Sequence, residues 1–170
     1  GKWIRKFDEY FVFDCRFSKE FEFGHIIGAQ NLFEYQKLSN FYFKNKGKNI
    51  CLIFHCELSQ DRAPSWAKLF RSIDRCDDIR KWPKVTFPYT FIMDKGFREF
   101  YKKYPEKCVG EYVPIDDPRI ESRILKRDNM RFKEEVISRL GIIQTPPAPR
   151  PRKTTKLHIE PVRFNSQPLR

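Results

Sequence analysis

The chain alternates short, wholly apolar runs with longer segments in which apolar residues recur every three or four positions. Ile50-Cys51-Leu52-Ile53-Phe54 is the clearest of the short runs. Its β-branched and aromatic content predicts a buried strand over 50–55. Phe11-Val12-Phe13, ending in Asp14-Cys15, predicts another short strand, and Thr90-Phe91-Ile92-Met93 a third. Gly24-His25-Ile26-Ile27-Gly28-Ala29 reads as a turn leading into one more. The helical segments follow a different period. Trp66, Leu69, Phe70 and Ile73 fall on one face and predict a helix over 64–76. Residues 32–46 predict a helix with a loop. Phe97 to Tyr104 predicts a helix stopped by Pro105, and 119–140 a charged helix ending at Gly141.

Strands alternating with helices specify an α/β domain with a mostly parallel central sheet flanked by helices on both faces. Ligands of such sheets sit outside the carboxyl ends of the strands. Cys15 and Cys56 each follow a predicted strand, so both are expected on that rim. Residues 144–170 change character: they hold six prolines and six Lys/Arg against one acidic residue. They read as a disordered basic tail behind a domain over 1–143. No internal repeat is present.

The candidate chemistry lies between the strand at 50–55 and the helix that follows. The intervening text is Cys56-Glu57-Leu58-Ser59-Gln60-Asp61-Arg62. A cysteine and an arginine at this spacing mean little alone. Between a buried strand and a helix amino terminus they mean more, because free backbone N–H groups and the helix dipole make the junction an anion cradle. The same dipole and Arg62 favour the thiolate of Cys56. Arg62 can grip two oxygens of a tetrahedral anion with its planar fork. Cys56 is thus placed to attack phosphorus in line while the loop N–H groups and Arg62 hold the equatorial oxygens. Water would then hydrolyse the phosphocysteine.

Composition narrows the partners. The 170 residues suffice for one domain with a core and a tail, and 17 Phe favour tight packing. No run approaches the roughly 18 apolar residues of a membrane span, and the opening residues lack the apolar stretch of a secretory signal. Five cysteines without metal-ligand spacing favour a reducing compartment and no metal. The formal net charge of +12 suits polyanionic or phosphorylated partners. Nucleic acid is the bland alternative, but no zinc-ligand pattern, aromatic sheet motif or DNA-reading basic helix supports it.

The stretch Asp14-Cys15-Arg16, Glu20-Phe21, Gly24-His25-Ile26, Gly28-Ala29 and Asn31 resembles the entry signature of rhodanese-fold domains. Together with His55-Cys56-Glu57-Leu58-Ser59-Gln60-Asp61-Arg62-Ala63-Pro64 it resembles the M-phase inducer phosphatases. Ile73-Asp74-Arg75, Trp82-Pro83, Phe87-Pro88, Lys95 to Phe100, Tyr104-Pro105, Cys108 and Tyr112-Val113-Pro114 agree with that family. The resemblance covers residues 8–118. It implies a rhodanese-like domain that removes phosphate from phosphothreonine and phosphotyrosine of a cyclin-dependent kinase–cyclin complex and so promotes G2/M progression. It implies a monomer without cofactor in nucleus and cytoplasm. Cys56 matches the family nucleophile, Arg62 its phosphate-binding arginine, and Cys15 its second, back-door cysteine, which forms a reversible disulfide with the nucleophile. Glu57 matches the usual nominee for general acid, and Asp61 in the same loop is a second candidate. Arg71 and Arg75, four apart on one helix face, match with Trp82 positions near the kinase-docking surface.

Departures from the family are specific. Ala63 stands where the family usually has Gly, and a left-handed backbone there would strain it. Phe23 and Ser65 also depart, and Lys84 stands where tyrosine phosphatases of a superficially similar Trp-Pro loop carry Asp. Asp14, Arg16, Glu20 and His25 are expected as a buried polar network bracing the sheet, with His55 orienting the loop. In the tail, Arg163-Phe164-Asn165-Ser166-Gln167-Pro168 fits recognition of phosphorylated Ser166 by a phosphoserine adaptor. Arg152-Lys153-Thr154 resembles a basophilic kinase site. The rival enzyme reading is an arsenate reductase of this fold and loop, since arsenate and phosphate share a shape. A sulfurtransferase fits less well, because rhodaneses usually carry a shorter loop. A non-enzymatic phosphoprotein-binding module is the third class.

Overall fold

The apolar run at 50–54 becomes β4 (Ile50–His55), which is central to the sheet and almost wholly buried. The computed structural model describes residues 7–77, 80 and 83–142. In chain order the elements before β4 are β1 (Glu9–Asp14), α1 (Ser18–Phe23), β2 (Gly24–Ile26), β3 (Gln30–Asn31) and α2 (Tyr35–Asn45). After it come α3 (Arg62–Asp77), β5 (Thr90–Ile92), α4 (Gly96–Lys103) and β6 (Cys108–Gly110). The described chain closes with α5 (Ser122–Phe132), a π-helical stretch (Lys133–Ile137) and α6 (Ser138–Ile142).

The main sheet has the order β3-β1-β4-β5, and every neighbouring pair is parallel. β2 does not join it. It pairs antiparallel with β6 in a two-stranded ribbon. Alternation along the strands sorts the two faces. Phe11 and Phe13 of β1 meet Phe41 of α2 edge-on at 4.8 and 5.0 Å, and Phe54 of β4 lies 6.0 Å from Phe70 of α3. Leu38 and Tyr42 of α2, and Trp66, Leu69 and Phe70 of α3, complete this side with no solvent exposure. Phe132 and Val136 of the carboxyl-terminal helix join the same cluster. On the opposite face, His55 stacks on Phe97 of α4 at 6.0 Å. Towards the amino ends of the strands this face is open among the described residues, with Tyr10 60% and Phe91 51% exposed.

The expected α/β architecture is therefore present, with three differences. The helix predicted over 64–76 begins earlier, at Arg62; Pro64 fits because the first helical turn needs no amide from it. Gly141 does not end the last helix, which runs on to Ile142. α1 and β6 had no periodic signal at six and three residues. The tail at 144–170 lies outside the described residues.

Phe54 is fully buried between Phe13 of β1 and Phe70 of α3. Phe54→Ala is expected to cost about 3–5 kcal/mol of stability, read from urea unfolding followed by circular dichroism.

Candidate functional site

Parallel strands put the carboxyl ends of β1 and β4 side by side, in register to Asp14 opposite His55. Cys15 and Cys56 are the next residues on each strand. The Cys15 amide donates to the His55 carbonyl at 2.7 Å, which extends the pairing by one step. Both thiols are free and buried. Adjacent strands run about 4.8 Å apart, inside the roughly 4.4–6.8 Å between Cα atoms that a disulfide spans. Burial pushes the Cys15 thiol well above the ordinary cysteine range, and the charges of Asp14 and Cys56 add to the effect.

The loop after Cys56 is shaped by where its carbonyls go. The Phe97 amide donates to the Cys56 carbonyl at 2.9 Å, and the Arg98 amide to the Glu57 carbonyl at 3.1 Å. Both donors are free amides of the first turn of α4. A trans peptide holds its C=O and N–H on opposite sides of one plane. The Glu57 and Leu58 amides therefore point away from α4. Among the described residues, the backbone N–H groups from Glu57 to Arg62 donate to no protein acceptor. Ser59 takes a left-handed backbone at φ 57° and turns the loop back towards α3, whose first bond runs from the Ser65 amide to the Asp61 carbonyl at 3.0 Å. Gly96 makes the α4 contact possible: at φ +62°, its missing Cβ would lie 2.4 Å from the Glu57 carbonyl oxygen and 2.5 Å from that of Cys56.

Arg62 leaves the first turn of α3 and is gripped by Glu20 of α1. Its Nη1 donates to Glu20 Oε2 and its Nη2 to Oε1 at 3.1 Å. Its guanidinium carbon stands 4.6 Å over the Phe17 ring. Burial works against the charge, but the bonds to Glu20, with Cys56 and Glu57 nearby, outweigh it and raise the Arg62 pKa above the usual arginine range. Glu20 is fully buried and also accepts the Phe17 amide at 3.0 Å.

A second ionic pair lies under the rim. Arg16 and Asp14 are both wholly buried. Asp14 accepts from Arg16 Nε at 3.0 Å, from Nη2 at 2.7 Å and from the Arg16 amide at 3.0 Å. Arg16 Nη2 also reaches the Gly24 carbonyl at 2.6 Å, and the guanidinium sits 3.9 Å over Phe97. Burial raises the Asp14 pKa, but His55 and Arg16 overcome this and leave it below the ordinary aspartate range. His55 is buried beside Asp14, with Nε2 at 3.8 Å from Oδ2. Burial pushes its pKa down; Asp14 opposes and Arg16 reinforces the shift.

The expected site residues separate accordingly. Cys15, Cys56, Glu57 and Arg62 come together on one rim. Asp14 and Arg16 form the expected buried pair, but Glu20 belongs to Arg62 instead, and His25 stands outside, stacked on Phe21 at 3.9 Å. Asp61 is exposed, whereas Glu57 is half-buried and accepts the Tyr112 hydroxyl at 2.5 Å. Neither Glu20 nor Tyr112 was singled out for this role by the sequence; they lie 42 and 55 residues from their partners. Ala63 is helical and buried, with no left-handed strain; that conformation falls on Ser59. Arg71 is committed to Asp74 Oδ2 at 2.6 Å and to the Phe87 carbonyl at 3.0 Å, while Arg75 is exposed. Trp82 and Ser166 lie outside the described residues.

Comparison with known proteins adds four findings. The rhodanese-like domain family matches residues 2–103. The chain is 32% identical over 133 residues to M-phase inducer phosphatase 3 of Homo sapiens, covering 74% of this chain and 28% of that protein. It is 36% identical over 119 residues to the M-phase inducer phosphatase of Schizosaccharomyces pombe, covering 69% and 20%. The chain thus spans between about a fifth and three tenths of the length of these relatives. A solved structure of an As-Sb reductase from Leishmania major is 25% identical, with a TM-score of 0.46 over 62% of this chain and 74% of that one.

Two outcomes are expected from the geometry. Gly96→Ala should destabilise the domain by about 1–3 kcal/mol, through left-handed strain and two carbonyl clashes, read from the thermal midpoint. The depressed His55 pKa makes stability depend on pH. The unfolded chain takes up a proton below about pH 6.5 that the folded chain resists. Stability is therefore full above that pH and falls as the pH drops from 7 to 5, and His55→Gln should flatten the fall, read from urea midpoints at each pH.

Proposed function

The chain belongs to the rhodanese-like domain family, and from that premise we propose that it is a cysteine-based protein phosphatase of the M-phase inducer kind. Its substrate in this reading is phosphothreonine and phosphotyrosine of a cyclin-dependent kinase in its cyclin complex. One observation carries the proposal: a cysteine at the end of the central strand is followed by six amides that have no protein acceptor among the described residues, and by an arginine fixed from behind by a buried glutamate. A run of unpaired donors beside an oriented arginine suits an anion with several equivalent oxygens better than a planar carbonyl.

In the proposed reaction Cys56 Sγ attacks phosphorus and the bond to the substrate oxygen breaks. The loop amides and Arg62 hold the three non-reacting oxygens as charge spreads over them. Water then attacks the phosphocysteine, the sulfur–phosphorus bond breaks, and inorganic phosphate leaves. Glu20 keeps two Arg62 donors occupied, which leaves the rest of the planar guanidinium to face the loop. Cys15 serves as the back-door thiol. After oxidation of Cys56 it closes a disulfide and prevents irreversible over-oxidation. Arg75, on the exposed side of α3, is the described residue that best suits kinase docking.

Phosphate release from a doubly phosphorylated cyclin-dependent kinase is the direct test. Cys56→Ser should abolish turnover and retain orthovanadate binding; turnover that survives the substitution refutes the reading, as does glutathione-dependent arsenate reduction without phosphate release. Glu20→Gln should lower kcat/KM by about ten- to a hundredfold, somewhat less than the roughly 10²–10³ that follows loss of a whole donor. Peroxide should consume the thiols of Cys15 and Cys56 together, with activity restored by dithiothreitol in the native protein and not in Cys15→Ser.

A further inference from the structure

Glu57 is tethered at both its backbone and its side chain. Its carbonyl accepts the Arg98 amide of α4 at 3.1 Å. Its carboxyl Oε1 accepts the Tyr112 hydroxyl at 2.5 Å. The Tyr112 ring is seated against α4 in turn, with its centroid 6.0 Å from Phe97 and 6.3 Å from Tyr101. Val113, the next residue, is fully buried and anchors the segment. One helix thus fixes the peptide of Glu57 and the group that grips its side chain. Asp61, the other carboxyl group of the loop, is exposed and has no side-chain hydrogen bond among the described residues.

We propose that Tyr112 is a positioning residue whose hydroxyl holds Glu57 by Oε1, so that Oε2 carries the proton given to the leaving oxygen. The proposal rests on the phosphatase reading above and extends it by one residue that the loop motif does not contain. A protonated carboxyl group can accept at one oxygen while it donates from the other. Burial, and then Glu57, push the Tyr112 pKa above the ordinary tyrosine range, so the hydroxyl keeps its proton and acts as donor. When the phosphorus–oxygen bond breaks and the Cys56 sulfur–phosphorus bond forms, the departing oxygen takes the Oε2 proton and Glu57 becomes a carboxylate. In the second step Glu57 takes a proton from the attacking water, phosphate leaves Cys56 as the thiolate, and the acid is restored. Without the Tyr112 hydroxyl, Glu57 keeps its backbone position but loses the partner that selects its rotamer.

The test compares two small substrates on the full chain: phenyl phosphate, whose leaving oxygen is as basic as tyrosine, and 2,4-dinitrophenyl phosphate, which needs no proton to depart. General acid catalysis is worth roughly 10²–10⁴-fold, and losing its orientation forfeits part of that. Tyr112→Phe, which keeps the ring contacts, should lower kcat on phenyl phosphate about tenfold and leave the dinitrophenyl substrate within about twofold. Glu57→Gln, reached from the other side of the bond, should show the same selectivity with a loss at least as large. The double variant should behave as Glu57→Gln alone, because the two act as one unit. Equal losses on both substrates, no loss on either, or additive losses in the double variant would overturn the role of Tyr112 and leave the phosphatase reading intact. If Cys56→Ser still turns over the dinitrophenyl substrate, the phosphatase reading fails and the role of Tyr112 fails with it.

Discussion

The site depends on the destination of two carbonyl groups. Cys56 and Glu57 spend theirs on the amino terminus of α4, and peptide planarity then turns their neighbours' N–H groups the other way. Nothing in the loop sequence imposes this by itself. It requires a helix that starts beneath the loop, and a Gly96 without a Cβ so that the helix can come close. The donors of α4, which could have bound an anion of their own, are used instead to aim those of the loop. One helix terminus organises another, since α3 also begins at the loop's far end.

Charge is handled by the same economy. Asp14–Arg16 and Glu20–Arg62 are both buried pairs, and removing charges from water is expensive unless each finds close partners. Such pairs specify geometry more than they stabilise. Arg16 ties the end of β1 to Gly24 at the start of β2 and lies against Phe97, so it locks strand, ribbon and α4 in one relation. Glu20 does the same for α1 and α3 through Arg62. In the proposed reaction an incoming phosphate would meet an arginine already oriented by Glu20.

Much of this was legible from residues alone. Continuous apolar runs located β1, β4 and β5, and apolar spacing or flanking stop signals located α2 to α5. The cysteine–arginine loop was legible because strand and helix flank it directly. What stayed hidden is what the fold joins over distance. Glu20 read as part of a polar network with Asp14, yet it reaches Arg62. Arg71 read as a docking residue beside Arg75, yet it pairs with Asp74, which also draws in the Thr86 amide at 2.8 Å and makes that arginine part of a loop anchor. The Ala63 departure looked damaging only on the assumption of a left-handed backbone, which the loop places four residues earlier, at Ser59. No periodicity encodes such pairings; they exist only after the sheet has formed.

That dependence has a kinetic side. Every pairing in the main sheet is parallel, so no two neighbours can be joined by a tight hairpin and each contact closes a long segment of chain. Such contact orders slow folding, because loop-closure entropy is lost before the strands interact. In sequence, α1, the ribbon strand, β3 and α2 all lie between β1 and β4. The sulfur of Cys56 therefore gains its surroundings only when contacts tens of residues apart in sequence, such as Asp14 with His55 and Glu20 with Arg62, have closed.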